Sequence, residues 1–451
     1  MSSPAPPDAA ESAPVGPLPS STRVAGQLPP LWRDTSFWGM SVTQFLGAFN
    51  DNVFKQLLLL LATPTAAELA AARAAGGSAP DLQAVAMIIF AAAFLIFSGF
   101  AGWLADRTSK RTLIVAAKVA EIVVMALGMI GFFYYDRIGF AGMTVVLFLM
   151  GTQSAFFGPP KYGILPEMIR DRDLPQANGV FLMFTFVAII FGVVLAGAIG
   201  ADTDTAWRGS AVCILIAVVG TATSLLVRRV PPANPGMKLR GSDLLVPPEA
   251  IALVRRDREL LLALVVTSSF WLLGSIVQQS VNALGKTQLG LDDAATSVLA
   301  AMLGVGIPVG CLIGGWLSAG RINPRVVRAG AIGIVVCLFL MGLRGGDQRH
   351  LLGFYGSLVV LFAAGVSTGV FIVPIQTAVQ ALPPPDEKGR MIALMNQCNW
   401  IGIIVGALLF QASLWLSNAF VQPRNTAFLV GALVMLPIAL FYRPAERTLS
   451  D

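Results

Sequence analysis

The sequence predicts an all-α membrane protein of twelve transmembrane helices, arranged as two six-helix bundles. Three observations predict it. Of 451 residues, 55% are apolar and only 12% are charged, about half the charged share of a soluble domain, and the mean hydropathy is +0.73. Twelve apolar runs of spanning length follow one another, six on each side of a polar stretch. The two sets of six also share an internal repeat. A chain of this composition cannot cover a water-facing surface with polar groups. Lipid is its solvent, and a soluble enzyme of ordinary type is excluded.

Residues 1–34 are rich in Pro, Ala and Ser, with eight prolines among the first thirty, and predict a disordered tail. No basic segment with a short apolar core precedes the first run, so no cleavable signal peptide is expected. The first run, Phe37 to Ala62, is long enough to span; about 20 residues suffice. Runs at 84–105, 112–134, 140–158, 177–200 and 207–227 complete a first bundle over 35–228. A polar linker, 229–259, follows. It ends in Glu249–Arg258, where apolar residues at helical spacing sit beside Arg255, Arg256 and Arg258. That pattern predicts an amphipathic helix on anionic headgroups. Runs at 260–284, 296–319, 326–343, 351–380, 391–416 and 425–442 form a second bundle over 260–443, and 444–451 is a tail.

Loop charges orient the chain. With loops allotted alternately, 22 of the 31 Lys and Arg fall on the side of the two termini and 7 on the other, while Lys55 and Lys118 lie within the membrane. The positive-inside rule then puts both termini in the cytoplasm. The net charge of +6 therefore reflects membrane topology, and nucleic acid is not an expected partner. Cys213, Cys311, Cys337 and Cys398 lie in apolar runs with no CxxC, and His350 is the only histidine. Neither a disulfide frame, a metal site nor a cofactor is expected.

The repeat relates Gly102-Trp103-Leu104-Ala105 and Arg107 to Gly315-Trp316-Leu317-Ser318 and Arg321. It also relates Gly151, Ser154, Ala155, Phe157 and Pro160 to Gly365, Thr368, Gly369, Phe371 and Pro374. Parallel duplicated halves with a substrate held between them are a transporter design.

Span 1 contains Gln44, Asn50, Asp51, Asn52 and Lys55. Asp51 and Lys55 are four apart and are expected to pair on one helix face; Lys118 and Glu121 in span 3, three apart, are expected to do the same. A charge at the bilayer centre costs about 3 kcal/mol or more, so these groups should face the protein interior. They could pin spans 1 and 3 together, or they could form a polar site for a headgroup or ion. The second half offers amides instead: Gln278, Gln279, Asn282, Gln376, Asn396, Gln397 and Asn399. That asymmetry favours a site, and the candidate substrate-binding residues are Asp51, Asn52, Lys55, Lys118, Glu121, Gln278, Gln376 and Asn396.

Gly102-Trp-Leu-Ala-Asp106-Arg107-Thr-Ser-Lys110-Arg111 resembles the cytoplasmic loop motif of the major facilitator superfamily. The resemblance implies the major facilitator fold and a gating role for Asp106, Arg107, Lys110 and Arg111, with Asp106 helping to hold the halves together in the outward-facing state. Three stretches resemble the bacterial lysophospholipid transporter family: Gln44-Phe-Leu-Gly-Ala-Phe-Asn-Asp51-Asn52; Pro160-Lys161-Tyr162-Gly163-Ile164-Leu165 with Ala177-Asn178-Gly179; and Phe371-Ile-Val-Pro374. The chain looks most like the transporter part of fusions between such transporters and a lysophospholipid acyltransferase. What this implies is alternating-access movement of lysophospholipids across the bacterial inner membrane, toward the cytoplasmic leaflet for reacylation. The implied partners are the lysophospholipid, membrane lipids and a separate acyltransferase. Asp51 and Lys118 match charged positions of the family, whereas Gln278 stands where its single-domain members tend to carry an arginine. Lys118 is then expected to meet a headgroup phosphate and Asp51 an ammonium; Phe270 and Trp271 read first as membrane-facing aromatics and second as a lining for the acyl chain.

A proton-coupled exporter of drugs or small metabolites is the alternative, since it too needs a membrane carboxylate such as Asp51. An acyltransferase is excluded. That chemistry uses His-x4-Asp, and five residues beyond His350 stands Tyr355. The chain is expected not to be an enzyme.

Overall fold

The computed structural model describes residues 28–170, 173–200, 205–239, 241, 254–318, 321–346, 349–381, 388–420, 422–444 and 447–448. Twelve long helices follow the predicted order. Spans 1 to 6 are Thr35–Ala62, Gln83–Arg107, Lys110–Phe133, Tyr135–Gly163, Leu174–Ile199 and Trp207–Ser224. Spans 7 to 12 are Arg258–Ala283, Asp293–Ser318, Pro324–Gly342, Gly353–Ala381, Lys388–Ala419 and Ala427–Phe441. Eleven helical segments among the described residues are long and apolar enough to cross a membrane, and span 5 contributes the shorter apolar stretch Met183–Ile199. The molecule is a multi-pass membrane protein.

Two expectations need correction. The tail was drawn to residue 34, but Leu31–Arg33 forms a 3-10 turn whose Leu31 is buried among Phe37, Ile114 and Val227. Asp34 then caps span 1, accepting from Ser36 N at 2.9 Å, and pairs with Arg228 at 2.6 Å. An apolar anchor and a capping carboxylate therefore tie this end down; residues 1–27 lie outside the described set. Second, a helix unforeseen from hydropathy, Ala66–Ala74, follows span 1. Thr65 and Glu68 start it with a reciprocal capping box, which satisfies two backbone donors at once. The linker helix expected at 249–258 is described only from residue 254. There Val254 is buried against Leu260, Leu264 and Leu394, while Arg255 and Arg256 are exposed.

Packing repeats with the sequence. In the first half, span 1 packs on 5 and 6, span 2 on 4, and span 3 on 4 and 6; six spans later, 7 packs on 11 and 12, 8 on 10, and 9 on 10 and 12. The glycines of the repeat explain part of this. Gly151 on span 4 lies against Phe90 and Ala93 of span 2, and Gly365 on span 10 lies against Leu303 and Gly306 of span 8. Small residues let membrane helices approach closely, where packing drives association. Between the halves, span 5 meets span 8 and span 2 meets span 11. Near residue 321 the backbone pairs Arg321–Ile322 antiparallel with Arg447–Thr448, which fastens the loop after span 8 to the C-terminal tail.

Candidate functional site

Span 1 brings its polar residues to the middle of the bundle, where span 4 and span 3 meet it from two sides. On one side, Asp51 Oδ2 accepts a hydrogen bond from Ser154 Oγ at 2.7 Å, and Ser154 Oγ accepts from Gln153 Nε2 at 2.9 Å. On the other, Asn50 Nδ2 donates to Glu121 Oε1 at 2.6 Å, and Glu121 forms an ion pair with Lys118. The Lys118–Glu121 pair is therefore made as its spacing suggests. The Asp51–Lys55 pair is not. Lys55 Nζ donates to Asn52 Oδ1 at 3.0 Å and stands over the Phe90 ring at 5.7 Å. Sharing a face permits pairing, but each side chain here has another partner.

The two groups also differ in access. Lys118 is 0% and Glu121 1% exposed, with Lys118 Nζ packed beside Gly47 of span 1 and Gly220 of span 6. In this conformation Lys118 cannot touch a headgroup, contrary to its expected role. Asp51, Asn52 and Lys55 are only partly buried. Three buried oxygens, Asn50 Oδ1, Asp51 Oδ1 and Gln153 Oε1, lack a donor among the described residues. Leaving a buried acceptor unsatisfied costs about 1–3 kcal/mol.

Lys161 belongs with this group, although charge placement alone did not single it out. It lies seven residues beyond Ser154, two helical turns along the same face. Its Nζ stands over the rings of Phe157 at 5.5 Å and Tyr162 at 4.9 Å, a cation–π setting. Among the described residues it enters no ion pair. The sequence signal was the seven-residue spacing combined with the Pro160-Lys161-Tyr162 stretch.

The second-half amides divide. Gln278, a candidate binding residue, donates instead to Gln56 Oε1 at 3.1 Å. It is part of a seam between the halves. Gln56 Nε2 donates to Asn282 Oδ1 at 3.1 Å, Asn282 Nδ2 to Gln83 Oε1 at 3.0 Å, and Lys286 Nζ to the Leu60 carbonyl at 2.8 Å. The seam ends in a buried ion pair, Asp81 with Arg424 at 2.8 Å. Burial pushes the Asp81 carboxyl above its usual range, against the pull of Arg424. Gln376 is half-buried and Asn396 exposed, and among the described residues neither hydrogen-bonds to the Asp51 group. Trp271 is exposed on span 7, and Phe270 packs into the second-half core.

The seam lies at one end of the helices, and the 102–111 motif lies at the other. Lys110 pairs with Glu167 at 2.5 Å, Arg111 donates to the Leu225 carbonyl at 2.9 Å, and Asn234 N donates to the Asp106 carbonyl at 2.8 Å. Arg107 stacks on Trp103 at 5.1 Å. Each of these contacts stays within the first half or reaches the start of the linker. The halves are thus latched at the end opposite the motif. Arg321 is described only as backbone.

The model of the Major Facilitator Superfamily matches residues 36–407. The lysophospholipid transporter LplT of Enterobacter sp. (strain 638) is 32% identical over 365 residues, covering 79% of this chain and 83% of that protein. Its counterpart in Salmonella paratyphi B is 31% identical over 378 residues, covering 80% and 85%. Among solved structures, a POT family transporter in complex with a thioalcohol-conjugated peptide superposes with a TM-score of 0.70 at 13% identity, covering 93% of this chain and 98% of that one. The nucleoside transporter NupG does so with a TM-score of 0.63 at 12% identity over 89% and 97%.

Proposed function

The chain belongs to the major facilitator superfamily and, within it, to the lysophospholipid transporters, and from that premise we propose that it carries lysophospholipids across the bacterial inner membrane by alternating access. As a member of a transporter family it is not an enzyme. The observation that carries the substrate reading is the partly open polar group of Asp51, Asn52 and Lys55 on span 1, with Lys161 and its aromatic neighbours two turns from Ser154. An amine-bearing lysophospholipid supplies the matching chemistry. Its ammonium meets Asp51, and its phosphate meets Lys161 and Lys55, each by charge-assisted hydrogen bonds. Lys118 and Glu121 hold span 3 to span 1 behind them. Asn52 helps to hold Lys55, while Gln376 and Asn396 line the path on the second half.

Movement runs toward the cytoplasmic leaflet, where a separate acyltransferase restores the missing chain. The termini face the cytoplasm. Bundles 35–228 and 260–443 rock about the site, joined by the linker 229–259. The latch at the end opposite the motif supports a state open toward the cytoplasm, and Asp106, Arg107, Lys110 and Arg111 serve the closing of that side.

The test uses purified protein in liposomes carrying fluorescent lysophosphatidylethanolamine, with albumin extraction to count the lysolipid left in the outer leaflet. Protein-dependent exchange between leaflets without an imposed proton gradient is expected. No exchange, together with gradient-driven export of a cationic dye, would replace this reading with the exporter.

A further inference from the structure

Among the described residues, the membrane-facing surface carries an open groove away from the interface between the halves. It lies between spans 3 and 4, encloses about 360 Å³, and is lined by Leu127, Ile130, Gly131, Ile138, Val145 and Leu149, with Tyr134 and Arg137 at its mouth. The sequence builds it. Tyr134 alone separates the two helices, and Gly139 breaks the start of span 4 with φ +59°, a value that costs glycine nothing. The first turn, Tyr135–Ile138, therefore bends across the end of the groove and brings Arg137 to its rim. Ile130 and Val145 are 50% and 59% exposed. In a transmembrane hairpin, that exposure faces lipid tails.

The mouth is placed by its aromatics. Phe133 stacks on Trp207 at 5.2 Å, and Tyr134 and Tyr135 stand at the same level, as membrane-interface residues do. Arg137 is exposed, stands over the Tyr134 ring at 5.6 Å, and enters no ion pair among the described residues. Asp136, also exposed, precedes it in the turn. A cation at headgroup depth above an apolar slot is complementary to a single molecular class.

We propose that this groove is a binding site for a glycerophospholipid of the leaflet opposite the 102–111 motif, with one acyl chain in the slot and its phosphodiester on Arg137. The site is separate from the transport path, and the inference does not depend on which substrate the transporter carries. The bound lipid covers the apolar face of the hairpin and fixes the angle between spans 3 and 4.

Native mass spectrometry of the purified protein titrated with phosphatidylglycerol tests it, with diacylglycerol of the same chains as a probe lacking phosphate. Arg137→Gln should weaken phosphatidylglycerol retention by about fivefold, the contribution of one basic residue near a membrane surface, and leave diacylglycerol unchanged. Val145→Trp, which fills the slot from an exposed position, should reduce retention of both. Wild-type retention of phosphatidylglycerol in either variant would overturn the site. Both substitutions are at exposed residues, and an unchanged melting temperature in detergent confirms that each variant is folded.

Discussion

A carboxylate in the middle of a membrane helix persists only where donors surround it, and among the described residues Asp51 has one donor on Oδ2 and none on Oδ1. Asp51→Asn removes the charge and keeps the shape. It should slow exchange of lysophosphatidylethanolamine about tenfold or more, the worth of a hydrogen bond to a charged group, and slow lysophosphatidylglycerol less, because that headgroup has no cation. Equal losses would point to ion coupling at Asp51. Lys161→Gln should slow both lipids alike, since both carry the phosphate. Lys118 behaves differently. Lys118→Met strands Glu121 in the bundle at about 3–5 kcal/mol, so its folded yield by fluorescence-detected gel filtration should collapse. The double variant with Glu121→Gln should recover yield and most of the transport. A folded but inactive double variant would return Lys118 to the substrate site. Helical spacing made the charges of spans 1 and 3 visible in the sequence. Which of them remain reachable depended on Gly47 and Gly220 closing over Lys118, and no local pattern encodes that.

At the level of elements, two devices sit at opposite ends of the helices. The seam joins spans 1, 2 and 7 and the loops before spans 2, 8 and 12 through Gln56, Gln83, Asn282, Lys286 and the Asp81–Arg424 pair. Removing both charges, Asp81→Asn with Arg424→Gln, should populate a state open at this end. Spin labels at Ala74 and Leu351 should report longer distances by double electron–electron resonance, and an unchanged distribution would make the pair a purely structural contact. Arg424→Gln alone should be the less stable protein, since it leaves Asp81 buried without its partner. At the other end, Asp106→Asn should cut transport about tenfold, a charge-assisted contact in the closed gate, with expression intact. Normal rates would remove Asp106 from the gate. The amides of span 7 were legible as polar residues in an apolar helix, but their partners were not. Gln278 meets Gln56, 222 positions away.

For the whole molecule, orientation is the quantity that charge decides. In a cysteine-less background, Lys238→Cys should react with a membrane-impermeant maleimide in inside-out vesicles and Arg73→Cys in intact spheroplasts. The reverse pattern would invert the topology. The sequence by itself determined the twelve spans, the six-plus-six division, the duplication and the polar residues held within the membrane. Each follows from local quantities: apolar length against bilayer thickness, helical period, and the recurrence of small residues at the same places in both halves. Only the tertiary structure decided that Asp51 meets Ser154 in place of Lys55 and that Gln278 belongs to a seam. These depend on which side chains neighbouring helices bring within 3 Å or so, a distance set by packing across more than a hundred residues of chain. Solvation by lipid is written along the sequence; partnership among its few polar groups exists only once the helices have assembled.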